Sequence, residues 1–196
     1  IEIKGNQMAD AVLAALPGIR TSGDMDVAVA TDRFDYPLRT DYPVNVEQAE
    51  REAADAAKKL AEFEKNPDYI NTRRHAALQV EVFQASQRLA IAKRWFAEKN
   101  HPATRSLEQS AVRIGDAVFV TFPGELFSEI GLAVKNRSPY EKTFVIGLTC
   151  GPGGYLPSAK EFLEEDYEVN GSAYSPKTEA ACIRSSLDII GRVGKR

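Results

Sequence analysis

Ser106–Glu125 reads SLEQSAVRIGDAVFVTFPGE, and this stretch decides the fold. Ser106 to Ile114 alternates polar and apolar residues, the period-two pattern of a strand with one buried face. Gly115-Asp116 follows, a two-residue turn signal for a hairpin. Ala117 to Phe122 is a continuous apolar run, as expected of a buried strand. Pro123-Gly124 breaks that run, and a helix is expected from Glu125 to about Lys135. Strand, turn, strand and helix in this order predict a sheet layered with helices.

The same reading extends in both directions. Asn6 to Leu16 carries Met8, Val12, Leu13 and Leu16 at helical spacing, and Pro17-Gly18 stops it. Met25 to Tyr36 alternates through Val27, Val29, Thr31, Arg33 and Asp35 and reads as a strand ended by Pro37. Val46 to Phe63 is rich in Ala, Glu and Lys, an amphipathic helix broken by Asn66-Pro67-Asp68. Arg73 to Glu98 is a second long helix, with Leu78, Val82, Leu89, Ala92 and Phe96 among its apolar positions. It closes at Asn100-His101-Pro102. These two helices are expected to form an antiparallel hairpin packed mainly on itself, away from any site. Downstream, Thr143 to Thr149 reads as a strand, Cys150 to Pro157 as a glycine-rich loop and Pro157 to Glu165 as one short helix. Pro176 to Ile190 is the last long helix, with Ala180, Ile183, Leu187 and Ile190 on one face. No repeat, low-complexity segment or linker divides the chain. The fold class is α/β: a mixed sheet layered with helices over residues 1–196, with a helical hairpin inserted at 46–100.

Composition removes several function classes. The 196 residues are 43% hydrophobic and 27% charged, which allows one packed core. The net charge is −3 with both signs interspersed, and no basic run points to nucleic acid. No apolar stretch approaches the roughly 18–20 residues that span a bilayer, so no transmembrane segment is expected. Cys150 and Cys182, the two cysteines, read as free thiols and not as a disulfide framework. The chain opens Ile1-Glu2-Ile3 with no initiator Met and no signal peptide, so the reading expects an upstream segment to have been removed. No Gly-x-Ser-x-Gly elbow occurs, which disfavours a serine hydrolase.

Two strand ends concentrate the chemistry. In Phe122-Pro123-Gly124-Glu125 a carboxylate directly follows a buried strand, where α/β proteins place their sites. Glu125 is also readable as an acid favoured by the positive end of the following helix. In Thr149-Cys150-Gly151-Pro152-Gly153-Gly154-Tyr155, the glycines permit sharp turning or close backbone approach. A phosphate cradle would need a following Lys-Ser/Thr and a helix start, and neither is present. Tyr155 is either a packing aromatic or a site residue. Tyr167, in the acidic string Glu164-Glu165-Asp166-Tyr167-Glu168, belongs either to a site or to a solvated helix end. Glu125 and Tyr155 are expected at neighbouring strand ends, facing one shared cleft.

Taken in order, Val112–Asp116, Phe122–Glu125, Gly153-Gly154-Tyr155-Leu156-Pro157 and Glu165–Glu168 resemble the neutral/alkaline non-lysosomal ceramidase superfamily. The resemblance is strongest from Val112 to Ile190. It implies the C-terminal portion of the catalytic domain of a zinc amidase, hence a fragment of a larger α/β sandwich. It further implies Glu125 and Tyr155 as metal ligands, Tyr155 also in catalysis, and Tyr167 as a catalytic residue contacting the polar end of the substrate. An N-acyl amide, lipid-like or small, is the implied substrate, and an extracytoplasmic or secreted location is the implied setting. The family's two histidine ligands have no counterpart here. His75 and His101 lie in the helical insertion and are not assigned as ligands. The upstream segment is therefore the expected partner, and this chain alone should bind zinc weakly or not at all and be inactive. The alternative is a catalytically silent scaffold or binding domain of the same fold.

Overall fold

The computed structural model describes residues 2–21, 23, 25–42, 44–164 and 167–194. Ile1, and Glu165 and Asp166 of the acidic string, lie outside the described residues. The elements run α1 (Glu2–Ala15), β1 (Val27–Pro37), α2 (Val46–Phe63), α3 (Arg73–Ala97), β2 (Thr104–Ile114), β3 (Ala117–Thr121), β4 (Glu125–Leu126), α4 (Ser128–Arg137), β5 (Lys142–Ile146), β6 (Tyr155–Leu156), α5 (Tyr167–Gly171) and α6 (Thr178–Arg192). Among the described residues, no helix is long and apolar enough to cross a membrane.

The main sheet has the order β1-β2-β3-β5. β1 and β3 flank β2 antiparallel, and β5 runs parallel to β3, so the sheet is mixed as expected. Ile114 pairs with Ala117 across Gly115-Asp116, and Gly115 takes the positive φ (60°) that such a tight hairpin requires. The alternation along β1 sorts its side chains. Phe34 and Tyr36 turn inward, while Val27, Val29 and Thr31 stay exposed on the opposite face. The inner face, with Tyr36, Ala111, Val118, Val120 and Phe122, packs on Ile130 and Val134 of α4 and on Cys182, Ile189 and Ile190 of α6. Polar groups inside this core are paired. The Tyr36 hydroxyl donates to Gln109 Oε1 (3.1 Å) and lies 2.8 Å from Ser185 Oγ, while Gln109 Nε2 donates to Ser186 Oγ at 2.8 Å. Buried Arg113 donates to the carbonyls of Val193 (2.7 Å) and Gly115 (3.0 Å).

Two expectations need correction. The helix placed at Glu125 starts at Ser128. The N–H groups of Glu125 and Phe127 instead donate to the carbonyls of Gly154 (2.9 Å) and Leu156 (3.2 Å), and this holds Glu125-Leu126 extended as β4. Glu125 therefore does not sit at a helix N-terminus. In α6 Ile183 and Ile190 are buried as expected, together with Cys182, Ser185, Ser186 and Ile189, whereas Ala180 is exposed and Leu187 only half-buried. Counting apolar residues alone overlooks Ser185 and Ser186, which are buried because they satisfy Tyr36 and Gln109. The one short helix expected over Pro157–Glu165 forms as a 3-10 helix over Ala159–Leu163. Both cysteines are free, Cys150 exposed and Cys182 buried.

Candidate active site

The Gly-rich loop is built against the Pro123-Gly124 turn. Leu148 N–H donates to the Gly124 carbonyl (3.0 Å), and Thr149 N–H to that of Phe122 (3.0 Å). Leu148 and Cys150 both take left-handed backbone (φ 57° and 61°), an uncommon conformation for residues with side chains. Two glycines are then required by contact. A Cβ on Gly153 would lie 1.7 Å from the Pro123 carbonyl oxygen. One on Gly124 would lie 2.6 Å from the Gly154 oxygen and 2.4 Å from Leu156 Cδ1. The Tyr174 hydroxyl locks the loop from below by donating to the Gly153 carbonyl at 2.8 Å.

Out of this contact β6 emerges parallel to β4, with Tyr155 opposite Glu125 and Leu156 opposite Leu126. Opposed residues of a parallel pair project to the same face. Ser172 Oγ donates to the Tyr155 carbonyl (2.9 Å), tying β6 to the end of α5. The Tyr155 and Tyr167 rings meet edge to face, with centroids 5.9 Å apart and planes at 70°. Desolvation pushes the Tyr155 phenol above its ordinary range, and the negative charge of Glu125 and the neighbouring Tyr167 hydroxyl add to the effect. Near neutral pH, Tyr155 is thus a neutral O–H donor.

A cleft of about 550 Å³ opens beside these rings. Tyr155, Tyr167 and Glu168 line one side, and Gln84, Gln87, Arg88 and Ile91 of α3 line the other. Phe83 of α3 also approaches Tyr167, at 6.5 Å between centroids. The hairpin of α2 and α3 does pack on itself, but it does not stand away from the cleft. Its 84/87/88/91 stripe follows i, i+3, i+4, i+7 spacing and forms a wall. Three of its four residues are polar, so apolar periodicity gives no sign of it.

Glu125 differs from the expectation in a second way. Its exposed side chain lines a separate shallow depression with Leu126, Phe127, Leu132, Lys135 and Leu148. Burying a carboxylate among the tyrosines would need a free cation. The cleft's Arg88 is already paired with Glu52 at 2.8 Å. The structure therefore joins Glu125 to Tyr155 through strand register, and Tyr155 to Tyr167 through ring contact. It does not put all three in one cavity.

The histidines have other work. His75 accepts from the Asn71 N–H at Nδ1 (3.2 Å) and places Nε2 2.9 Å from Glu64 Oε1. His101 stacks on Trp95, centroids 3.8 Å apart. Among the described residues, no group of three or more His, Cys, Asp or Glu is arranged to hold a metal. A catalytic zinc usually takes at least three protein ligands. Glu125 and Tyr155 offer two oxygens, one a carboxylate and one a phenol. These residues by themselves do not fit a complete zinc site.

No family model matches the sequence, and neither does any curated protein. Solved structures are similar in part. A ceramidase complexed with C2 is 22% identical over 48% of this chain and 16% of that one, with a TM-score of 0.41. Neutral ceramidase from Pseudomonas aeruginosa is 22% identical over 50% of this chain and 18% of that one, with a TM-score of 0.42. The chain thus matches less than a fifth of the length of either structure.

Proposed function

We propose that this chain carries the oxygen-donor part of an amide-hydrolase site resembling that of the neutral ceramidases. The observation that carries the reading is the Glu125–Tyr155 pair, set opposite one another by the locked contact of two glycine-bearing turns. The protonated Tyr155 hydroxyl would donate to the carbonyl oxygen of an N-acyl amide. That bond strengthens as water adds and negative charge develops on the oxygen, the condition for rate enhancement. Tyr167, in contact with Tyr155, would orient a polar group of the substrate. Glu125 would supply one anionic oxygen to the zinc that the family resemblance implies. The remaining donors, and the base that takes the proton of the attacking water, would come from outside these residues.

The 196-residue chain should bind zinc weakly and release no amine from a short-chain N-acyl amide, and a longer protein that also carries the missing donors should bind zinc tightly and release the amine. In that longer protein, Tyr155→Phe should lower kcat about 10²- to 10³-fold, the effect of losing one oxyanion donor. Glu125→Gln should weaken zinc binding in calorimetry. Tight one-to-one zinc binding by the 196 residues alone would overturn the split site. Zinc binding without amide release in the longer protein would favour a silent scaffold.

A further inference from the structure

A second pocket lies on the other side of Ile91 and Gly171 from the tyrosine cleft, and its volume is about 250 Å³. Its lining includes Arg39, Arg94, Arg105, Tyr42, Trp95 and His101. Arg39 is the unusual member. Its relative exposure is only 9%, and it forms no ion pair among the described residues. Its guanidinium lies over the rings of Tyr42 (5.4 Å) and Phe162 (6.0 Å). One nitrogen, Nη1, donates to the Ser172 carbonyl at 3.2 Å, while Nε is buried with no hydrogen-bond partner. A buried charge is ordinarily paired, and a buried donor ordinarily satisfied. Asp41 acts on Arg39 electrostatically without pairing with it. Arg94 and Arg105 also line the pocket and also lack an acid partner among the described residues. Among the described residues of the lining the one carboxylate, Glu98, is turned to His101, 3.7 Å from Nδ1.

We propose that this pocket binds a small organic carboxylate, its charge held by Arg39 with Arg94 and Arg105 and its apolar body against Trp95 and Tyr42. A planar carboxylate suits a guanidinium that lines the pocket with no acid partner among the described residues. The aromatic lining favours a ligand with a hydrocarbon or ring portion over inorganic phosphate. This assignment stands apart from the hydrolase reading and does not need it.

Trp95 is the only tryptophan of the chain, so its fluorescence reports on the pocket directly. Phenylacetate, phenylacetamide and inorganic phosphate would be titrated, with calorimetry in parallel. The proposal expects a saturable Trp95 response to phenylacetate and much weaker responses to the neutral amide and to phosphate. Arg39→Met should weaken phenylacetate binding about 10- to 100-fold, the loss expected for charge-assisted hydrogen bonds. The exposed Arg94→Met and Arg105→Met should each weaken it by less. They decide the matter if Arg39→Met does not fold. The proposal is overturned if phenylacetate gives no saturable response, if the amide binds equally well, or if the Arg94 and Arg105 variants both bind like the parent. Phosphate binding more tightly than phenylacetate would overturn the carboxylate assignment.

Discussion

Gly153→Ala is expected to destabilise the protein by about 3 kcal/mol or more and to unpair β4 from β6. The added methyl would stand 1.7 Å from the Pro123 carbonyl oxygen and 2.8 Å from its carbon. Both obstacles are backbone, so no side chain can swing aside. The loop must lift from the turn, and Tyr155 must lose its place opposite Glu125. Denaturant unfolding would read the loss of stability. Hydrogen exchange would locate it, because the Glu125 and Phe127 amides, bonded to Gly154 and Leu156, should lose protection. Gly131→Ala is the control with the opposite sign. Gly131 lies inside α4 with nothing within 4 Å of the added Cβ, so it should gain about 0.5–1 kcal/mol.

Alkali should unfold the protein steeply. Burial raises the Tyr36, Tyr42 and Tyr174 phenols and the Cys182 thiol above their ordinary ranges. Below those ranges all four are protonated in both states, and their contribution is fully present. As pH rises, the unfolded chain releases these protons first while the folded chain retains them. The unfolded state then binds fewer protons, so stability falls with pH. Each group adds a slope of about 1.4 kcal/mol per pH unit, and four together approach about 5–6 kcal/mol per pH unit. Thermal melts at about pH 8 and about pH 10.5 would show the drop. A flat Tm across that interval would mean that these side chains are solvated in the folded protein.

Much of the architecture was legible in the sequence because its signals are local. Val46–Phe63 is a helix over the expected span, and the turn at Gly115-Asp116 fixes the β2–β3 register. Less legible were features that depend on distant partners. Glu125 is extended because its N–H is claimed by Gly154, a bond between turns thirty residues apart along the chain. Ser185 and Ser186 are core residues only because Tyr36 and Gln109 lie opposite them. The expected helix Asn6–Leu16 forms as Glu2–Ala15 with no buried residue, so the apolar spacing of Met8, Val12 and Leu13 did not reveal a packed face. Glu125, Tyr155 and Tyr167 could be singled out as candidates from their motifs together with the family resemblance. The α3 wall and the pocket around Arg39 could not, since both depend on how the hairpin leans across α5 and the chain after β1.

The most direct test of the Glu125–Tyr155 pair is the titration of the Tyr155 phenol, followed by NMR with ring-labelled tyrosine, in the parent and in Glu125→Gln. The paired site requires the phenol to titrate above the ordinary tyrosine range in the parent and to move down when the carboxylate charge is removed. A Tyr155 titration that is the same in both proteins would contradict the pairing, and with it the site on which the proposed function rests.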